Sequence, residues 1–525
     1  MTEPRPHGVD VRGLTFTPSS PFFNGRFGRM FRALPPADFG DTDTDSMTAL
    51  QQLGAAMSSE EDAPKDGPDN EESGIPAAYT YFGQFIDHDL TFDPASSLQR
   101  QNDPDALIDF RTPRFDLDSV YGRGPSDQPY LYAEGRSFLL GDQLTGEGLG
   151  QALSAHDVPR SSAKASAQGA QARAIIGDPR NDENVIVSQL QGLILRFHNR
   201  VAAERTDLPF AAVQQEVRFH YQWAVLNDFL PAVVSHDVLH QVLPHLAKSS
   251  NVHLDPPNLR FYDFRTSMFM PLEFSAAAYR FGHSMVRPGY RLNDAIGPFA
   301  IFPLADRPQD PGLTGFDEFP RDWAIDWGRF VDLESRPFGS DNANDSDNPK
   351  RLQLAYKIDT SLVNPLATLP ARVASDPPSS LASRNLLRGW RMRLPSGQEV
   401  ARAMGVPVLD DAQIKIGKFT GDAGDILGSV VEKGGDAFEG NCPLWTYVLA
   451  ETQKVETKVK TTGGDKQIAT RRLGPVGGRI VAETIVGIMV GDSSSYLNVN
   501  PLWEPSLAVN GRFGLRELVA AALQG

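Results

Sequence analysis

One stretch limits what this chain can become more than any other: Gly83-Gln84-Phe85-Ile86-Asp87-His88-Asp89-Leu90-Thr91-Phe92-Asp93-Pro94. Gln84, Asp87, His88 and Asp89 fall between aromatic residues, and Pro94 closes the run because proline cannot continue a helix. On a helix, Gln84 and His88 stand one turn apart and Asp87 lies three after Gln84, so the three share a face. Asp89, one step past His88, points to another side. The stretch predicts a helix that presents an imidazole to one site and a carboxylate to a different one.

The bulk of the chain fits a large globular protein. Its 525 residues could hold two or three ordinary domains or one large catalytic unit. Hydrophobic residues make up 40% and charged residues 22%, the balance of a soluble globular chain. The 46 Gly and 40 Pro predict long irregular connections. A net charge of −16 argues against nucleic acid or an anionic membrane as partner. No stretch has the apolar length of a membrane span. Cys442 is the lone cysteine, so no disulfide forms within the chain. Residues Met1 to His7 lack the apolar core of a signal peptide, which predicts a cytoplasmic protein, with leaderless secretion as the alternative.

Residues 1–77, rich in Pro, Gly and acidic runs, read as an irregular N-terminal arm to a catalytic domain over 78–525. Asp41-Thr42-Asp43-Thr44-Asp45 lacks the Gly and the closing Glu of an EF-hand and reads as a solvated or capping loop. In Arg111 to Gly122, Thr112, Asp116 and Asp118 offer oxygens at close alternating spacing, as a calcium loop or an Asp-capped polar turn would. Ser161 to Ala174 is small and polar, a surface excursion. Arg180 and Glu183 stand three apart at the entrance to a helix whose Leu190, Leu193, Ile194, Phe197 and Val201 keep a buried spacing. His236, His240 and His245 come without a carboxylate motif and read as a solvated helix. In Phe274 to Pro288, small residues line one face of a helix while Arg280 and His283 share another. Asn385 and Arg388 follow in a short helical run, and Ile480, Thr484, Ile485, Ile488 and Met489 mark a last buried helix face.

Taken in order over roughly residues 75 to 500, these segments resemble the animal-type haem peroxidases of the peroxidase–cyclooxygenase superfamily. The resemblance implies a mainly α single large domain with haem b between a distal and a proximal helix, long loops and few short strands. It makes His88 the distal acid–base residue, Arg180 the catalytic arginine and Gln84 a holder of water or halide. It makes His283 the iron ligand, sets Arg280 near a propionate, and gives Asn385 the hydrogen bond from His283 while Arg388 reaches haem. Asp87 and Glu183 are the candidates for ester links to haem. Asp89, Thr112, the Arg114 carbonyl, Asp116 and Asp118 would surround a structural calcium ion. Where myeloperoxidase of this family carries a Met bonded to haem, this chain has Asn184, so that link cannot form and easy chloride oxidation is not expected.

The implied activity is oxidation of bromide, iodide, thiocyanate or phenolic donors by hydrogen peroxide. A fatty-acid dioxygenase is the main alternative; it needs a tyrosine close before the proximal histidine, and Tyr279 lies one turn before His283. A haem-binding peroxide sensor without turnover would need His283 alone. Removal of peroxide itself, as a response to oxidative stress, is a further possibility of the same chemistry.

Overall fold

The structure, a computed structural model, describes residues 25–524 apart from 60–61, 93–107, 110, 145–154, 162–172, 249, 265–267, 305–309, 315–318, 372, 375, 422–424 and 426. Its centre is the helix Val185–Glu204, buried continuously from Val185 to His198. Leu190, Leu193, Ile194, Phe197 and Val201 are all among its buried residues. A helix buried on every side must be covered on every side. Helices Ala78–Leu90, Phe210–Ala224 and Leu515–Leu523 pack around it. Gly477–Gly491, which buries Ile480, Thr484, Ile485, Ile488 and Met489, packs against His236–Val242 and the turn that carries His283. The fold is mainly α-helical.

Strands are short. Gly25–Gly28 pairs antiparallel with Ile108–Asp109 and parallel with Met270–Pro271. The longest pair is the hairpin of Gln453–Val459 and Lys466–Arg472, in register from Gln453 opposite Arg472 to Val459 opposite Lys466. Glu72–Pro76, just before the His88 helix, pairs antiparallel with Leu354–Tyr356. The fully buried Glu72 carboxylate accepts Arg287 Nη1 at 2.5 Å and Arg351 Nη1 and Nη2 at 2.6 and 2.5 Å. Burial alone would raise the Glu72 pKa, yet the two guanidiniums hold it below the usual carboxylate range. Since Arg287 follows His283 by four residues, this buried triad ties the segment after His283 to the entrance of the His88 helix.

Two sequence expectations need correction. The arm is not irregular throughout: Asp43–Ala56 is a helix of 14 residues. Thr42 and Asp45 form a capping box that satisfies its first backbone donors, and Leu50 and Leu53 bury a face that packs against Leu381–Arg391. Residues 1–24 of the arm, 162–172 of the expected surface excursion, and Pro94 lie outside the described residues. The segment before His283 is also not one helix. A short turn, Leu272–Ser275, breaks at Ala277 (φ −137, ψ −77) and resumes as the 3₁₀ turn Ala278–His283. Stacking of Phe274 on Tyr279, with centroids 4.5 Å apart, folds the chain back across the break. Among the described residues no helix is long and apolar enough to cross a membrane.

Candidate active site

The His88 helix, Ala78–Leu90, ends where Thr91 turns extended and its hydroxyl bonds back to the Asp87 carbonyl and carboxylate, both at 3.1 Å. Helix phase brings Gln84, Asp87 and His88 to the wall of one cavity. The buried His88 ring is fixed through Nδ1, which lies 2.7 Å from Asn181 Oδ1. Asn181 is itself fully buried and donates its amide to Gln191 Oε1 at 3.0 Å. A carbonyl oxygen facing Nδ1 requires the proton there and leaves Nε2 as the basic nitrogen. Burial, then the nearby Arg180 charge, lowers the His88 pKa to about 4, so the ring is neutral at neutral pH.

Arg180 and Asn181 sit on the 3₁₀ turn Pro179–Asp182, whose cap is Asp178. The Arg180 guanidinium donates to the Asp178 carboxylate (Nη2 to Oδ2, 2.7 Å) and to the His88 carbonyl at 2.9 Å, and lies over the Phe92 ring. Asp178 is shared with Arg111. Despite burial, the two guanidiniums hold Asp178 below the usual carboxylate range. Arg180 therefore stands behind His88, bonded to its backbone, and is not part of the cavity wall described below. Glu183 pairs not with Arg180 but with Gln84, whose Nε2 donates to it at 3.2 Å. Asn184 caps Val185–Glu204 by accepting from Ile186 and Val187.

On the opposite side, the 3₁₀ turn Ala278–His283 nearly eclipses residues three apart, so Arg280 and His283 come to one side. The Asn385 amide nitrogen, not the expected oxygen, lies 2.8 Å from His283 Nδ1, because the oxygen accepts from Arg280 at 3.3 Å. Asn385 is buried on the helix Leu381–Arg391; Arg388, one turn on, is half-buried. Burial, then the Arg280 charge, pushes the His283 pKa down to about 3. A neutral imidazole is the form that binds a metal.

Between the two histidines lies a cavity of about 1100 Å³, counting space open to solvent. Gln84, Asp87, His88 and Glu183 line it from the distal side and Arg280, Gly282 and His283 from the proximal. Ile301, Phe302, Leu366, Leu369, Val373 and Leu381 supply apolar wall. A Cβ added at Gly282 would meet nothing within 4 Å, so the backbone beside His283 faces open space that a flat group could fill. Two neutral imidazoles, a guanidinium, two carboxylates and apolar walls suit a macrocycle with a metal centre and propionates.

Asp89 leaves this cavity, as its helix phase dictates. Buried completely, it accepts from Ser119 Oγ at 3.1 Å and from Leu117 N at 3.3 Å. Asp89, Asp116 and Asp118 bring carboxylate oxygens within 4.8 Å of one another. Thr112 donates to Asp116 at 2.8 Å, and Arg114 approaches Asp492 at 3.9 Å. Burial and the Asp116 charge push Asp89 up to about 7, and Asp116 and Asp118 are raised too. Three crowded carboxylates of this kind suit a hard cation. Among the described residues this is the one such group; His236, His240 and His245 form none.

Sequence reading did not single out Asn181, Asp178 as a partner of Arg180, or Arg111. Only the three-dimensional turn brings Asn181 against His88. Asp178 as cap of the Arg180 turn was the one readable hint, since Asp before Pro at a helical entrance is a capping signal.

The profile of the animal haem peroxidase family matches residues 95–314, a span that contains Arg180, Glu183 and His283. Chorion peroxidase of Aedes aegypti is 28% identical over 192 residues, 32% of this chain and 23% of that one. Human thyroid peroxidase is 28% identical over 246 residues, 45% of this chain and again 23% of the relative. The matched segments thus span under a quarter of these relatives' length. Among solved structures, peroxidase A from Dictyostelium discoideum superposes with a TM-score of 0.53 at 15% identity, covering 94% of each chain. Fatty acid alpha-dioxygenase of Oryza sativa gives a TM-score of 0.52 at 12% identity, covering 93% of this chain and 77% of that one, a likeness of fold. Its fold, its facing histidines and the match over residues 95–314 make the chain similar to the animal haem peroxidases.

Proposed function

We propose that the protein is a peroxidase that binds haem b between His88 and His283 and oxidises small donors with hydrogen peroxide. One observation carries this reading: two neutral histidines, His88 buried and His283 half-buried, each held through Nδ1 by a buried asparagine, line the same cavity from opposite elements. His283 would hold the iron through Nε2, with Asn385 fixing its other nitrogen. With the iron on Nε2, Nδ1 would carry the proton, and the Asn385 amide would have to turn over so that its oxygen, which here accepts from Arg280, faces that N–H. Arg280 would meet a propionate; Arg388, on the helix that carries Asn385 and outside the cavity lining, would reach the haem edge. Haem, when bound, supplies the site that takes up peroxide and the oxidising power that reaches the donor.

The chain's own part is proton movement. His88 Nε2 takes the proton from one peroxide oxygen and returns it to the other as water leaves, base first and acid second. Arg180, held against the His88 carbonyl and outside the cavity wall, lowers the ring's pKa and would favour the negative charge that develops as the O–O bond opens only from behind His88. Gln84 holds water or a halide on the same wall. Asp178 and Arg111 are positioning residues for Arg180. Asp87 and Glu183, both on the cavity wall, are the groups that could esterify haem. A mass shift equal to haem on peptides holding either residue would show a link, and haem fully extracted by acid acetone would exclude one. Calcium bound by Asp89, Asp116 and Asp118, with Thr112 and the Arg114 carbonyl, is part of the same reading. A reducing, cytoplasmic setting accords with the single buried Cys442.

Donor choice is tested by turnover of the haem-loaded protein with peroxide and bromide, iodide, thiocyanate or a phenol. Oxidation of at least one is expected; none would sink the peroxidase reading. The dioxygenase alternative draws on Tyr279, which lines the cavity with its ring stacked on Phe274. Oxygen uptake with a long-chain fatty acid, lost in Tyr279→Phe, would favour it instead.

A further inference from the structure

A second tyrosine in the cavity has a feature that Tyr279 lacks. Tyr79 begins the His88 helix, lines the cavity, and donates its hydroxyl to Asp228 Oδ2 at 2.8 Å. Tyr279 donates to the Gly83 carbonyl, which cannot keep a proton, and Tyr81 lies against another phenol, Tyr290. Of these three cavity tyrosines, Tyr79 is the one whose hydroxyl rests on a carboxylate.

That carboxylate is built in. Asp228 lies in the π-helical turn Val225–Phe229, an insertion that re-aims a side chain and recurs at functional positions. Its Oδ2 also accepts Leu515 N at 2.8 Å, at the start of the helix Leu515–Leu523. A Cβ at Gly514 would fall 2.5 Å from the Asp228 carboxyl carbon, so the seat exists only because residue 514 is glycine. Burial pushes Asp228 up to about 6, a carboxylate with raised affinity for a proton. Asp332 and Glu517 add negative charge around Tyr79, which favours removal of an electron from it.

We infer that Tyr79 is a redox-active residue that gives one electron to the peroxide-oxidised haem while its phenolic proton passes to Asp228. This rests on the peroxidase reading, with hydrogen peroxide as the oxidant. The step balances: Tyr79 O–H and the Asp228 carboxylate become a neutral tyrosyl radical and a carboxylic acid, and the electron reduces the haem by one equivalent. A one-electron donor then reduces the radical, and the proton returns from Asp228 to the phenol oxygen.

The test is electron paramagnetic resonance of haem-loaded protein frozen after one equivalent of hydrogen peroxide without donor. The expected result is a tyrosyl signal, narrowed by ring-deuterated tyrosine, that is lost in Tyr79→Phe, reduced in Asp228→Asn and kept in Tyr279→Phe. Spin trapping and peptide mapping of the unsubstituted protein locate the radical even if a variant fails to fold. A signal that survives in Tyr79→Phe, or a trap adduct on another residue, would overturn the inference. If the Tyr79–Asp228 bond merely anchors the last helix, both variants melt earlier and the signal is unchanged. Haem that consumes peroxide with no tyrosyl signal overturns the inference alone. Haem that does not react with peroxide overturns the peroxidase reading with it.

Discussion

In the proposed reading His88 would work as a base only if the correct nitrogen is free, and Asn181 against Nδ1 decides which one that is. His88→Ala should lower the rate of reaction with peroxide by about 100- to 10,000-fold while His283 still holds haem. Asn181→Ala should lower it by roughly 10- to 100-fold, the scale on which hydrogen-bond partners that orient a histidine act at metal sites, with haem content unchanged. Rapid-mixing absorbance measures both; an Asn181→Ala rate equal to the parent's would remove Asn181 from the account. Because burial and Arg180 depress the His88 pKa to about 4, the base form persists well below neutrality. The rate attributable to His88 should therefore hold as pH falls and drop only as pH passes through about 4. A loss centred on the ordinary histidine pKa would contradict this. At this scale the sequence was informative where helix phase applied: Gln84, Asp87 and His88 reach one wall and Asp89 another. It was silent on Asn181, because a lone asparagine before a helix carries no sign of the ring it will meet.

The loop carrying Asp116 and Asp118 is joined to the His88 helix by carboxylates that repel one another. A folded-state pKa of about 7 for Asp89 means that, without a cation, the stability from this group is present below its unfolded pKa and lost as pH rises through about 7. A bound cation reverses that loss, since it needs the ionised form. Calcium should therefore raise the melting temperature more at about pH 8 than at about pH 6, and Asp89→Asn should abolish the difference. Equal shifts at both values, or none with calcium, would count against a cation here. Linkage runs further, because Arg111 bridges Asp118 and Asp178, the partner of Arg180. Helical elements with a regular apolar spacing were readable from sequence, as Val185–Glu204 shows. The His283 segment was not, because the Phe274–Tyr279 stack that breaks it is a tertiary contact that spacing does not reveal.

Across the whole molecule, both walls of the cavity are tied together by the buried Glu72 triad. Glu72 adjoins the His88 helix, Arg287 follows His283, and Arg351 precedes the strand Leu354–Tyr356. Removing the one carboxylate leaves two guanidiniums buried without their counter-charge. Glu72→Gln should destabilise the fold by about 3–5 kcal/mol in denaturant titration, with haem affinity falling alongside. A change within about 0.5 kcal/mol would show that the triad does not hold the walls. The mainly helical class was legible because long 3.6-period runs dominate the chain. The helix Asp43–Ala56 was not, because its acidic first turn reads equally well as a solvated loop until its cap is seen.

The central claim is that His88 and His283 face each other across haem. Its most direct test is the absorption spectrum of the haem-loaded protein before and after one equivalent of hydrogen peroxide, then bromide. The account predicts a histidine-ligated ferric spectrum that shifts with peroxide at a rate dependent on His88, and returns when a donor is added. Failure to bind haem, or a peroxide shift unaffected by His88→Ala and a haem spectrum unaffected by His283→Ala, would contradict it.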